Sequence, residues 1–301
     1  MKKSWLLLTA SLLSSMALPA EAALKVLACE PEWASLTTEL GGEWVDVSSA
    51  TTAQQDPHRI QARPSLIAKT RNADLLVCTG LGLEAGWLPL LLQQSGNPRI
   101  QAGQPGYLSA GDAVPRLEIP TRLDRSAGDV HAAGNPHIQQ DPRNIARVAE
   151  VLAKRLAVLD PQHAALYQHR YADFMARWNA AIKRWNTQAA PLQGMAVVSY
   201  HKDMEYLIHW LGMNKIGTLE SGPGLEPSSA HLSALVQLLQ QQPAKLILRT
   251  PYQNERASLW LEERSTARAV MPPFTVGGTP EATDLFSLFD DTLARLLGAA
   301  Q

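Results

Sequence analysis

Apolar positions along this chain follow two periodicities that take turns. Short apolar runs at residues 25–29, 44–49 and 74–78 read as strands, and the stretches 32–40, 63–72 and 83–94 between and after them read as helices. Pro64, in Arg63-Pro64-Ser65, suits the first turn of the second helix. This β-α-β rhythm predicts a parallel sheet covered by helices. Over residues 97–134 the pattern gives way to Gly, Pro and Asp, predicting loop with one short strand near 117–119. Asp141-Pro142 then opens a helix with Ile145, Val148, Val151, Leu152 and Leu156 on one side, and Asp160-Pro161 stops it. From there to Ala189 the chain has no Gly or Pro beyond that stop. About 27 helical residues would span roughly 40 Å, too long for one small lobe and long enough to cross two. The alternation restarts with strands at 195–200 and 245–249 and helices at 203–210, 230–240, 256–263 and 282–297. The halves share this rhythm without a residue-level repeat. The expected fold is α/β, with two parallel-sheet lobes (23–141 and 191–301) joined by linking helices (142–190), one of them long.

The chain has 301 residues, of which 46% are hydrophobic and 18% charged, with a net charge of -1. Such a length leaves room for two core-bearing lobes, and the balance lacks the basic excess of a nucleic-acid binder. Past the N-terminus no segment reaches the roughly 18 apolar residues of a membrane span. Residues 1–22 read as a cleavable signal peptide: Lys2 and Lys3, an apolar run from Trp5 to Leu18, and Ala20-Glu21-Ala22 before the cut. The alternative is a short N-terminal anchor. Export to a periplasm is expected. Cys29 and Cys78 both lie near the ends of apolar strand-like runs. In an oxidising compartment they would pair; otherwise they are two buried thiols acting as small apolar residues.

Three histidines mark turns that follow strand-like segments or lead to the linking helices: His58 in Gln54-Gln55-Asp56-Pro57-His58, His137 in Gly134-Asn135-Pro136-His137, and His201 after Val197-Val198-Ser199-Tyr200. A core does not need imidazoles at such exits, whereas a metal site assembled from separate loops does. In parallel α/β lobes ligands gather at the carboxyl ends of the strands. The prolines before His58 and His137 fix a backbone angle and stiffen those loops. A fourth ligand is expected from the second lobe, with Asp284 as the candidate and Glu281 as its competitor. Either carboxylate could instead serve only the dipole of the last helix. His131, in Asp129-Val130-His131, reads as exposed loop or as a transient ligand. His163, His169, His209 and His231 read as ordinary helix-surface residues.

On these residues the chain resembles the metal-binding lipoproteins and periplasmic proteins of zinc and manganese ABC transporters, the group with a rigid linking helix. The resemblance runs from about Leu24 to the C-terminus. It rests on Gln55-Asp56-Pro57-His58, Gly80-Leu81-Gly82-Leu83-Glu84, Asn135-Pro136-His137 with Asp141-Pro142-Arg143-Asn144, Tyr200-His201, Trp210-Leu211-Gly212, Glu226-Pro227-Ser228 and the turn at 274–278. It implies ligands at His58, His137, His201 and Asp284, and delivery of the ion to an inner-membrane permease. Manganese-type members of that group carry a carboxylate where His201 stands. Three imidazoles and one carboxylate suit zinc better than manganese. Many zinc members also carry a loop rich in His and acidic residues before the second ligand. Here residues 112–134 hold a single histidine, His131, and three aspartates, Asp112, Asp124 and Asp129.

Two rival classes fit these residues less well. A secreted zinc hydrolase could use three histidines and an open position, but the chain lacks HExxH and any Glu placed as a general base. A binder of small organic nutrients would line its cleft with aromatic and Arg residues, which these loops do not offer. The expectation is therefore a monomeric periplasmic carrier of Zn2+, not an enzyme, with no nucleic-acid partner. A manganese or other divalent-metal carrier is the alternative.

Overall fold

The computed structural model describes residues 22–121, 131–222 and 224–301. Almost all of the expected signal peptide, and Asp124 and Asp129, lie outside the described residues. Strands β1 (Leu24–Ala28), β2 (Val45–Ser49), β3 (Leu75–Cys78) and β4 (Tyr107–Ser109) form a parallel sheet ordered β2-β1-β3-β4. Its helices are α1 (Pro31–Gly41), α2 (Pro64–Asn72) and α3 (Leu88–Ser95). Two linking helices follow, α4 (Pro142–Leu159) and α5 (Ala164–Gln188). The second lobe holds β5 (Ala196–Ser199), β6 (Asn214–Thr218), β7 (Leu246–Leu248) and β8 (Arg268–Val270), again parallel and ordered β6-β5-β7-β8. With it come α6 (Glu205–Leu211), α7 (Ser229–Gln241), α8 (Arg256–Glu262) and α9 (Leu285–Ala300). The two sheets have the same spatial order, although the halves share no sequence repeat.

Strand periodicity explains the apolar runs. In β1 and β3, Val26, Ala28, Leu75 and Val77 face a central core, while Leu27, Leu76 and Cys78 face an outer core with Cys29, Leu66, Trp87 and Leu91. The second lobe repeats the arrangement: Val197, Leu246 and Leu248 point inward, and Val198, Tyr200 and Ile247 point out toward Leu232, Leu235 and Leu261. A sheet buried on both faces needs apolar residues at successive positions, not alternate ones. The central core is continuous through both lobes and the linking helices. Cys29 and Cys78, one residue past the paired Ala28 and Val77, are joined as a disulfide in the outer core.

Helix α5 has 25 residues, about 38 Å at 1.5 Å each. It packs on α4, on α1 of the first lobe and on α9 of the second. Its buried stripe of Tyr167, Phe174, Trp178, Ala181 and Trp185 meets Phe286 and Phe289 of α9 edge-on or tilted. Burying one Trp removes about 200 Å² from water, roughly 5 kcal/mol at 25 cal/mol/Å². This seam therefore makes the two lobes one packed body. Among the described residues no helix is long and apolar enough to cross a membrane.

Several elements differ from expectation. Strands β4, β6 and β8 were not anticipated. They are short edge strands with polar residues, such as Asn214-Lys215 in β6 and Arg268 in β8, so they lack the apolar signature of central strands. No strand forms at 117–119, where Glu118 has a φ of 51°. Helix α3 starts at Leu88, not at 83: residues 81–87 form successive turns, and Trp87 at the N-cap has a non-helical φ of -141°. The last helix starts at Leu285, capped by Asp284. The long helix begins after a separate tight turn over Pro161–His163.

Candidate metal centre

Three connections deliver four imidazoles to one place between the lobes. His58 lies on the connection from β2 to α2, where the Trp87 indole N–H donates to the Pro57 carbonyl at 2.8 Å. His137 precedes a tight turn over Ile138–Gln140, and its backbone N–H donates to the Asn135 side chain at 3.0 Å. His201 follows β5. The Asn135 amide also donates to the Lys202 carbonyl at 2.7 Å, tying the His137 turn to the His201 turn. The Tyr206 hydroxyl donates toward the Asn135 carbonyl at 3.2 Å and accepts the Leu117 N–H at 3.1 Å. Ring centroids stand 5.2 Å apart for His58 and His137, 6.1 Å for His58 and His201, and 6.0 Å for His137 and His201.

His131 completes the group. Its Nε2 is 3.3 Å from His58 Nε2, and its ring lies 6.2 Å from that of His137. One ring nitrogen from each of His58, His131 and His137 lies within 4.8 Å of the others, as a metal ion would require. The expectation of an exposed loop residue is thus corrected, since His131 is half-buried against the other imidazoles. The turn at Gly134, with φ at 108°, lets the chain bring His131 and His137 round together.

Carboxylates hold the rings. Asp56 Oδ1 accepts from both the backbone N–H and, at 2.7 Å, the Nδ1 of His58. Glu220 Oε2 lies 2.6 Å from His201 Nδ1 and accepts the Gly224 N–H at 2.9 Å. Each contact fixes Nδ1 as the protonated nitrogen and leaves Nε2 with its lone pair exposed to the site. Burial raises the Asp56 carboxyl, but the hydrogen bond and charge of His58 outweigh it and hold the group below the usual carboxylate range. For His201 burial works downward, yet the bond to Glu220 and the charges of Asp203, Glu220 and Asp56 hold it above the ordinary imidazole value. His137 is only 1% exposed, and among the described residues neither of its ring nitrogens has a hydrogen-bond partner. Burial, then the charges of His58, His201 and His131, push its pKa well below the ordinary value. His137 therefore stays neutral, with a lone pair available. A hollow of about 290 Å³ opens above the rings, lined by Asp56, His58, Arg59, His201, Glu220 and Tyr252 among others.

Asp284 is not brought to this cluster. It is exposed at the start of α9, where its carboxylate accepts the Ser287 N–H at 2.7 Å and the Ser287 hydroxyl returns to the Asp284 backbone. It lines a separate hollow with Pro31, Thr38 and Arg170. The physical reason is the later helix start: at the N-cap the side chain turns back to the orphan amides of the first turn. Glu281 is engaged by Arg295 at 2.8 Å. Of the residues gathered here, Asp56 and Glu220 were passed over by the sequence reading, and His131 was given there only as a transient ligand or an exposed loop residue. Only His131, six residues before His137 with a glycine between, left a usable signal.

A second set of carboxylates lies at the ends of β1 and β3. Glu30 accepts from the Thr79 hydroxyl at 3.0 Å, Glu84 accepts the Gly80 N–H at 3.1 Å, and Glu32 takes the Thr275 hydroxyl of the other lobe. All three are buried. Burial is the largest cause that pushes Glu32 up to about 7 and Glu84 up to about 6, and Glu30 goes well above the carboxylate range.

Comparison with known proteins places the arrangement in context. Residues 26–299 match the model of the family described as zinc-uptake complex component A, periplasmic. The metal ABC transporter substrate-binding lipoprotein SsaB of Streptococcus sanguinis is 26% identical over 163 residues, 53% of this chain and 50% of that protein. The manganese ABC transporter substrate-binding lipoprotein PsaA of Streptococcus anginosus is 24% identical over 225 residues, 72% of this chain and 69% of its own length. A crystal structure of ZnuA superposes with a TM-score of 0.77 at 20% identity, covering 93% of this chain and 100% of that one, which establishes the shared fold.

Proposed function

The chain belongs to the family of periplasmic A components of zinc-uptake complexes, and from that premise we propose that it captures a zinc ion between its lobes and hands it to an inner-membrane ABC permease. The observation that carries the reading is His137. Leaving a buried polar nitrogen unpaired costs about 1–3 kcal/mol, and among the described residues His137 has both ring nitrogens unpaired beside three other imidazoles. A dication there would take up those lone pairs. His58, His131, His137 and His201 would be the nitrogen ligands, with Asp56 and Glu220 orienting two of them. The domain division that fits is a lobe at 23–141, linking helices at 142–190 and a lobe at 191–301.

The choice of zinc follows from the donor chemistry. Four imidazoles with carboxylates held one step back suit a four-coordinate, borderline ion, while manganese favours oxygen donors. A second reading, manganese or another divalent ion, is favoured by the manganese transporter protein among the relatives and by the carboxylates Asp56 and Glu220 beside the rings. The Nε2 atoms of His58 and His131 face each other at 3.3 Å, and both must be unprotonated to bind an ion. Any ring that is charged when the ion arrives releases its proton, so affinity should fall as pH drops.

Metal content of untagged protein, followed by competitive titration with Zn2+ and Mn2+, separates the readings. Tight zinc at one per chain that manganese cannot displace supports the first. Preferential manganese retention supports the second, and no metal at all removes both.

A further inference from the structure

Asp203 sits in the short turn between β5 and α6, two residues after His201. It is fully buried. Its Oδ2 accepts from the Gln253 amide at 2.6 Å and from the Tyr252 hydroxyl at 3.4 Å, while among the described residues its Oδ1 has no hydrogen-bond partner. Tyr252 and Gln253 both line the hollow above the rings, so Asp203 lies beneath that floor. Burial raises its carboxyl above the usual range, while the charges of His201 and His58, contributed by opposite lobes, and the bond from Gln253 pull it back down. Among the described residues it does not join the group of mutually close ligand atoms.

A buried carboxylate with one oxygen unpaired is an expensive arrangement for a structural role. An Asn in the same place would keep a hydrogen-bond acceptor for Gln253 and Tyr252 and carry no charge to desolvate. The expense makes sense if a positive charge arrives nearby. Asp56 and Glu220 already hold two of the rings, and both are partly exposed and engaged by His58 and His201. Asp203 is the one of the three carboxylates that is fully buried and not bonded to an imidazole.

We propose that Asp203 is the buried counter-charge of the metal site: it does not coordinate the ion but favours a dication over the metal-free state, at the cost of stability when the site is empty of cargo. This rests on the reading of the histidine cluster as a metal site.

The test compares wild type with Asp203→Asn in three measurements. Zinc affinity, read by competition with a chromophoric chelator, should fall about 10- to 100-fold, the range typical of groups just outside a metal's ligands. The metal-free variant should melt no lower than metal-free wild type, because a buried charge has been removed. The visible absorption bands of the Co2+-loaded proteins should coincide, because the ligands are the same. Zinc affinity within twofold of wild type overturns the proposal. So does a lower metal-free melting temperature, which would make Asp203 a structural residue, or altered Co2+ bands, which would make it a ligand. Wild type failing to bind Zn2+, Co2+ or Mn2+ would instead overturn the metal-site reading, and this proposal with it.

Discussion

Replacing Glu32 with Gln should stabilise the metal-free protein above neutral pH and leave it unchanged near pH 4.5. Glu32 is fully buried at the start of α1, and it accepts the Thr275 hydroxyl of the other lobe. Burial pushes its carboxyl from 4.5 to about 7, with the charge of Glu84 adding to the rise. The folded state thus holds the proton more tightly than the unfolded chain does. The stabilisation this proton provides is full below pH 4.5 and is lost as pH rises through about 7. A shift of about 2.5 units at 1.36 kcal/mol each gives roughly 3 kcal/mol at pH 8. Gln has the same shape, can accept the Thr275 hydroxyl, and does not titrate. Urea denaturation of chelator-treated wild type and Glu32→Gln at pH 4.5, 6 and 8 reads the effect as a difference in midpoint at constant slope. His137 works in the opposite sense, because its depressed pKa removes stability as pH falls below the ordinary imidazole value. That contribution is common to both proteins and cancels in the difference. A Glu32→Gln difference that does not change between pH 4.5 and 8 would refute the reasoning.

Three further outcomes are expected. Asp284→Ala should cost about 1 kcal/mol through loss of the α9 cap and leave zinc affinity as in wild type; a large loss of affinity in a calorimetric titration would restore Asp284 as a ligand. Asp56→Asn should lower zinc affinity about tenfold or more, since the charge that orients and enriches His58 is gone, and a chelator competition showing no change would contradict that role. Changing Cys29 and Cys78 together to Ser should cost about 4 kcal/mol by the loop-closure relation for a separation of 49, and thiol counting on unfolded, unreduced wild type should find no free thiol.

Much of this fold was legible because its central strands are buried on both faces. Runs such as Leu75-Leu76-Val77-Cys78 and Val197-Val198-Ser199 can hardly be anything else. The edge strands β6 and β8 escaped because hydrogen bonding to one neighbour, not side-chain burial, makes them strands. For the site, His58, His137 and His201 were readable from their turns, and the structure brings their rings together. Asp284 was misread because an Asp ahead of an apolar helix carries the same local signature whether it caps or coordinates, and only the three-dimensional path of the chain distinguishes the two. Asp203 could not be found at all from sequence, since burial of a carboxylate after a strand exit has no local pattern.

The zinc X-ray absorption spectrum of the loaded protein tests the central claim most directly. The account predicts four nitrogen neighbours at about 2.0 Å with the scattering pattern of imidazole rings, reduced to three in a His131→Ala variant. A shell dominated by oxygen, or one of six neighbours, or one unchanged by removing His131, would contradict it.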